Sequence, residues 1–412
     1  MKRASLAVTF AVLTASLSGC ESSSTSSSGD WAGTIDTLPS GQIDVANTAE
    51  PLWPAGSEWQ VIEEVRIGTM EGTGPDIFGR ITSIEVDAAD RVYVLEAQSQ
   101  ELRVFDRDGA HVRTIGRKGG GPGEFARAVM VQTGPDGNIW VPDPENNRVS
   151  VFDTAGTLAY SRPAPGGFII LPWPGGFDNQ GSYYSPVFIP SEDDSDMGFR
   201  MGLARFDSEL QPMDTLVPPS DPYDPSDRRF EHRTETGFTA ARIPFTPTFR
   251  WHFERDGSFW SLITGEYKLV QLTTTGDTVR TITREFEPYP VTEGEVEAAL
   301  ERLDWFTRQG GKVVRSRIPS KKPPAESFFL DDEGNVWVAR VTTAEDEWRV
   351  MDVFDPVGRY LGDVRLPFRL SQENPIVRGP MMWAVTTDEF DVPYVVRARI
   401  VKLGDGVSPT MQ

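Results

Sequence analysis

Apolar and polar positions alternate over Trp59-Gln60-Val61-Ile62-Glu63-Glu64-Val65-Arg66-Ile67-Gly68, the period-two pattern of a β-strand. Short stretches of the same kind then recur at a fixed distance. A shift of 47 residues lays Tyr93 on Trp140, Phe105 on Phe152, Asp106 on Asp153 and Gly109 on Gly156. The joint between repeats is copied too, since Gly74-Pro75-Asp76-Ile77-Phe78 falls on Gly121-Pro122-Gly123-Glu124-Phe125. A period of roughly 40–50 residues, rich in aromatics and turn glycines, marks the blades of a β-propeller. Six second strands are centred on Tyr93, Trp140, Tyr184, Trp260, Trp337 and Trp383, the first five each preceded by an Asp-, Asn-, Gln- or Gly-containing turn. Third strands end at Phe105-Asp106, Phe152-Asp153, Phe206-Asp207, Leu272-Thr273 and Phe354-Asp355; Gly109, Gly156, Gly276 and Gly358 follow four of them, and Ser208-Glu209 the other. The expected fold is all-β: a six-bladed propeller over residues 58–405, with 406–412 as a tail.

The two ends of this region complement each other. The last repeat lacks an outer strand, whereas 59–68 is an outer-type strand with no blade before it. Pairing Val61–Ile67 with Val395–Ile400 would close the ring and remove its open edges.

The intervals between the six aromatics are 47, 44, 76, 77 and 46, so extra chain enters in the middle. It occupies 189–198, 217–247 and 284–324. In a four-stranded blade, the second-to-third link and the outer-to-next-inner link emerge on one face, which places all three insertions on that face. Extensions gathered on one rim of a rigid scaffold are expected to form a binding surface. The last insertion carries the one short helix, announced by Thr292-Glu293-Gly294-Glu295 as a capping box. Its apolar stripe of Val296, Leu300 and Leu303 is expected to pack on the propeller rim, and the basic segment 312–322 follows it.

Asp143-Pro144-Glu145-Asn146-Asn147-Arg148-Val149, with Val151-Phe152-Asp153, resembles the core of an NHL repeat, and 119–125 is similar to its linker. The chain thus resembles NHL-type six-bladed propellers, and within them a group of bacterial propeller lipoproteins. The likeness is sharp over 60–160, fair at 328–360 and 375–403, and poor from 160 to 325. It implies the fold, an extracytoplasmic address and a binding role, and carries over no catalytic set.

The single cysteine, Cys20, excludes an internal disulfide and any cysteine-rich metal site. It follows Lys2, Arg3, an apolar run of small residues and Leu17-Ser18-Gly19, an order that resembles a bacterial lipobox. Residues 1–19 are therefore read as a lipoprotein signal and Cys20 as the lipidated residue. Glu21, where an inner-membrane retention signal would have Asp, favours the outer membrane. Residues 20–57, opening with a Ser-rich run, are expected to be a disordered spacer. With 61 acidic and 40 basic residues the formal charge is −21, which argues against nucleic-acid binding; membrane contact is expected only through the lipid, and the protein is expected to be a monomer.

Candidate chemistry is sparse. His111, His232 and His252 are the only histidines, in no metal-ligand spacing; His252 lies in an expected inner strand with Arg250 and Trp251. Arg80 and Arg127 align just before two inner strands, where guanidinium forks would suit a carboxylate or phosphate. Trp173 and Trp305 are aromatics on the elaborated side. The expected ligand-binding set is Arg80, Arg127, Trp173, Arg250, Trp251, His252 and Trp305. Asp193, Asp194 and Asp196 offer a possible calcium site, though without an EF-hand pattern; no other cofactor is expected. The reading is a propeller that binds a peptide, protein or small molecule without turnover. The alternatives are a metal-dependent hydrolase or lyase of the lactonase or amidating-lyase type, and a structural envelope protein.

Overall fold

Strands such as Val92-Tyr93-Val94-Leu95 are apolar at every position because both of their faces are covered: Val92 and Val94 pack into one cluster, Tyr93 and Leu95 into the next. This is the arrangement of sheets stacked face to face around an axis. The computed structural model describes residues 31–164, 173–190, 199–235, 237–343, 349–371 and 375–402. It forms six antiparallel blades. Blade 1 comprises Ile81–Val86, Val92–Glu96, Glu101–Phe105 and His111–Ile115 from the axis outward; blade 2 comprises Gln132–Thr133, Ile139–Asp143, Arg148–Phe152 and Leu158–Pro163. Blade 3 comprises Gly176–Phe177, Tyr183–Pro190, Phe199–Phe206 and Pro212–Leu216; blade 4 comprises Phe249–Phe253, Phe259–Ile263, Lys268–Leu272 and Thr278–Arg284. Blade 5 comprises Ala325–Leu330, Val336–Arg340, Arg349–Phe354 and Tyr360–Leu366. Blade 6 takes Ile376–Arg378, Met381–Thr387 and Pro393–Val401 from the end of the chain, and Gln60–Ile67 from its beginning.

The closing strand pairs as expected, Ile67 with Val395 and Val61 with Ile400. Six buried clusters fill the six seams between blades, including blade 6 to blade 1, where Ile67, Trp383, Val385 and Val395 meet Ile84, Val86 and Phe105. Among the described residues no helix is long and apolar enough to cross a membrane.

A six-residue spacing fixes the inner hairpins. Asp87 Oδ1 accepts from the amides of Ala89 (2.9 Å) and Arg91 (3.0 Å), and its Oδ2 accepts from the Tyr93 hydroxyl (3.1 Å). Asp178 with Tyr184 and Asp331 with Trp337 Nε1 repeat this at 3.0 Å. Burying an aromatic polar tip is tolerated because the turn aspartate receives it. Blades 2, 4 and 6 break the rule, the last with Val377 six residues before Trp383. Gly134 and Glu254 stand six residues before Trp140 and Trp260, and the Nε1 atoms of both tryptophans lack a partner among the described residues. In blade 3 the outer hairpin has no glycine at its left-handed position; Leu210 takes it, with φ 57°.

The spacer expected over 20–57 is corrected from residue 31 onward; its earlier part, with Cys20 and the signal, lies outside the described residues. Thr34–Thr37 and Ile43–Asn47 form a hairpin whose second strand joins the outer edge of blade 4 in parallel, Val45 opposite Ile282. Composition misled because only Val45 and Asn47 of the hairpin are buried. Asn47 Nδ2 donates to the carbonyls of Thr283 and Gly358 (both 3.0 Å), and its Oδ1 accepts from Trp31 Nε1 (3.0 Å) and the Tyr360 amide (2.7 Å). Gly358, at φ 105°, leaves the room that a Cβ would take from Ile282 and Val45. The arm then crosses to blade 5, where Leu52 and Trp53 amides donate to Tyr360 and Leu361 carbonyls. Asn47→Ala strands three backbone groups and is expected to cost about 2 kcal/mol in urea unfolding; an unchanged midpoint would show that the arm is not held.

The insertions also differ from expectation in one respect. Residues 217–248 fold into a second hairpin, Arg229–Thr234 with Gly237–Arg242, and 285–324 carry helices α1 (Glu293–Glu301) and α2 (Asp304–Arg308). The capping box is present in full. The helical stripe packs not on the rim but against the neighbouring insertion: Phe230, Ala241 and Ile243 share a small core with Leu303 and Phe306. Arg317 ties the two together by donating to the carbonyls of Arg229 (3.2 Å) and Ser226 (2.5 Å). Single-sequence periodicity showed that α1 has an apolar face, but not which surface covers it.

Candidate functional site

The inner strand of blade 4, Phe249–Phe253, begins on the insertion-bearing face, because the preceding link carries the hairpin 229–242. Thr248 pins this entry, its amide donating to Thr264 Oγ1 at 2.7 Å. Strand alternation then splits the side chains. Trp251 and Phe253 lean on Phe259 toward blade 3 (ring centroids 5.7 and 5.1 Å), while His252 meets Phe328 of blade 5 edge-on at 4.6 Å. The space left between blades 4 and 5 at this end is a cavity of about 930 Å3. Its walls come from Phe249–His252, from Ala325–Phe329, from Arg242, Phe245 and Thr246 below the hairpin, and from Lys322, Arg349 and the segment leading into blade 6. A second cavity of about 450 Å3 continues toward the other face, lined by Gln132, Trp173, Gly176, Phe253, Glu254 and Arg255 among others. The two share Trp251, His252, Phe329 and Pro375, so these residues form a collar between mouth and tunnel. Gly176 belongs there because a Cβ would strike the Gln132 amide.

Charge is distributed unevenly. Lys322 pairs with Glu295 at 2.5 Å and Arg349 pairs with Glu326. Arg242 instead donates to the carbonyls of Thr246 (2.8 Å) and Pro247 (3.2 Å). Burial, and then the neighbouring Arg250 and Arg228, lower its pKa. His252 is held down to about 4 by burial and by Arg250, against a hydrogen bond to the Phe328 backbone, so the imidazole is neutral at physiological pH. On the tunnel side burial, reinforced by Asp256, lifts Glu254 to about 7 against the pull of Arg255. Burial also raises Glu85, which Arg378 contacts at 2.9 Å.

The structure brings together three of the expected residues, Arg250, Trp251 and His252, in the wall of the larger cavity. Trp173 lines the smaller one. Arg80 and Arg127 are exposed and line neither cavity; their backbone amides are the anchored part, donating to Glu96 (2.9 Å) and Asp143 (2.8 Å). Their alignment reflects how each inner strand is started. Trp305 is also in neither cavity; it is 44% exposed on α2, because Phe306 rather than Trp305 faces the insertion core. Asp193, Asp194 and Asp196 lie outside the described residues. Among the described residues no group of three or more His, Cys, Asp or Glu side chains is placed to hold a metal ion. The basic segment 312–322 is largely matched by acids, Arg315 by Glu293 and Glu297 and Lys321 by Glu287. Arg242, Phe328, Phe329 and Glu254 were not anticipated. Only Glu254 had a sequence signal, as the glutamate occupying the turn-aspartate position six residues before Trp260.

A family described as a 6-bladed beta-propeller matches residues 69–161. No curated protein matches the chain. Among solved structures, a putative exported protein from Bacteroides fragilis is 14% identical over 87% of this chain and 100% of its own, with a TM-score of 0.48. A catalytically inactive virginiamycin B lyase from Staphylococcus aureus with quinupristin is 11% identical over 84% and 100%, with a TM-score of 0.42. The PQQ-bound aldose sugar dehydrogenase from Streptomyces coelicolor is 11% identical over 85% and 100%, with a TM-score of 0.41.

Proposed function

We propose that this protein is an extracytoplasmic, lipid-anchored propeller that holds a small molecule or a peptide segment in the mouth of its tunnel, on the insertion-bearing face, without turning it over. The observation that carries this reading is the cavity of about 930 Å3 between blades 4 and 5, whose walls combine aromatic rings with a few convergent polar groups. That volume and lining suit a drug-sized ligand. The cap supports the reading: two insertions with their own shared core give the mouth a fixed rim rather than loose loops.

The test is native mass spectrometry of the protein isolated from its own envelope fraction. A co-purifying ligand that disappears in Trp251→Ala supports binding. A bare protein that hydrolyses ester or lactone substrates would sink the reading in favour of an enzyme. Anchoring is tested separately: Cys20→Ala is expected to abolish palmitate labelling and move the protein from the membrane to the soluble fraction. Unchanged labelling would remove the lipid from the proposal.

Acid–base chemistry in the tunnel has one group in its favour. Glu254 lines the smaller cavity and titrates at about 7, the range a general acid or base needs. Loss of a measured activity on Glu254→Gln, with ligand binding kept, would establish it.

A further inference from the structure

The mouth of the tunnel contains two guanidinium groups for which the described residues provide no carboxylate partner, Arg242 and Arg250. Both residues keep exposed surface and line the cavity, where partial burial depresses the pKa of Arg242. Arg250 lies close enough to disfavour the charge on Arg242. The chain has 61 acidic side chains against 40 basic ones, so matching two arginines would have been easy. Nearby cations are in fact matched: Lys322 by Glu295, Arg349 by Glu326 and Arg228 by Asp221. Arg242 is also fixed, since its donation to the Thr246 and Pro247 carbonyls occupies one end of the fork and orients the rest. One positioned fork beside a second guanidinium, both with donors to spare, suits an oxyanion.

Phe249 and Trp251, the neighbours of Arg250 along its strand, and Phe328 of blade 5 supply apolar lining to the same cavity. The neutral His252 beside them adds no charge of its own. We infer that the mouth of the tunnel takes an organic anion, with a carboxylate or phosphate head between Arg242 and Arg250 and a flat apolar body against Trp251 and Phe328. This rests on the reading of the cavity as a ligand site and adds the chemical class of the ligand.

The probes are 8-anilinonaphthalene-1-sulfonate, an aromatic anion, and its uncharged relative N-phenyl-1-naphthylamine, titrated by fluorescence into the purified protein. The expected result is saturable binding of one sulfonate dye per chain. Arg250→Gln and Arg242→Gln should each weaken it by roughly tenfold or more, as loss of a charge-assisted hydrogen bond implies. Trp251→Ala should weaken both dyes. Displacement by phenylacetate or by phenyl phosphate, but not by phenylethanol, would support the inference and tell which head group is preferred. If the neutral dye binds as tightly, needs Trp251 and ignores Arg250→Gln, the cavity binds ligands but the anion assignment is overturned. If neither dye responds to Trp251→Ala, the inference falls together with the reading of the cavity as a ligand site.

Discussion

Asp352→Ala is expected to destabilise the propeller by about 3–5 kcal/mol, because it leaves a buried guanidinium without a counter-charge. Asp352, on the third strand of blade 5, is fully buried. It accepts from Arg284 of blade 4 (2.8 Å), from Arg340 (3.4 Å), and from the hydroxyls of Tyr360 (3.3 Å) and Tyr267. Arg284 is 6% exposed at its side chain and lies 4.0 Å above the Tyr360 ring. The network therefore joins blade 4 to blade 5 through five side chains, of which all but Arg340 are buried. Burial raises the pKa of Asp352, while Arg284 and Arg340 pull it down; burial and then the same carboxylate hold the Tyr267 hydroxyl well above its ordinary value. Urea unfolding of Asp352→Ala, Arg284→Leu and the double variant forms the decisive cycle. The double variant should recover much of the loss, since removing both charges also removes their desolvation. Additive losses would show that the two residues do not act as a pair.

Glu254 predicts an unusual dependence of stability on pH. Its folded pKa of about 7 lies above the ordinary 4.5. Between those values the folded chain keeps a proton that the unfolded chain has released, so stability falls as pH rises through this window. The contribution is fully present below about 4.5, is lost by the time pH has passed 7, and amounts to something on the order of 3 kcal/mol. Asp256 adds to the effect and Arg255 opposes it, while burial raises Glu85 of blade 1 in the same direction against the pull of Arg378 and Arg255. The comparison that isolates Glu254 is wild type against Glu254→Gln at pH 5, 6, 7 and 8. Their stabilities should diverge with rising pH in favour of the variant, and parallel curves would refute the assignment. Glu254→Asp should restore the turn seen at Asp87 and Asp331, give Trp260 Nε1 an acceptor, and raise stability by about 1 kcal/mol.

Much of the scaffold could be read directly. The 47-residue register, the six second-strand aromatics and the capping box are local patterns, imposed by backbone hydrogen bonding and by alternation along a strand, and each reappears in the fold. The site was only partly legible. Arg250, Trp251 and His252 could be assigned to an inner strand and so to the axis, whereas Arg242 closes a hairpin that packs against the α1–α2 segment more than 50 residues further on. Arg80 and Arg127 stand apart from both cavities. Their alignment follows the Glu96 and Asp143 carboxylates that hold their backbone amides at the start of blades 1 and 2.

Sequence alone determined the strand period, the number of blades, the strand that closes the ring and the face from which the two described long links leave, because all four follow from alternation and chain direction; residues 191–198 of the third link lie outside the described residues. Tertiary structure decided the rest: that a polar arm at 34–47 lies against blade 4, that the helical stripe covers a hairpin and not the rim, and which cations at the mouth remain without an acid. Those outcomes depend on contacts between segments far apart in the chain, and such contacts leave no period in either segment. A few buried atoms, such as the amide of Asn47, can outweigh the polarity of a whole stretch.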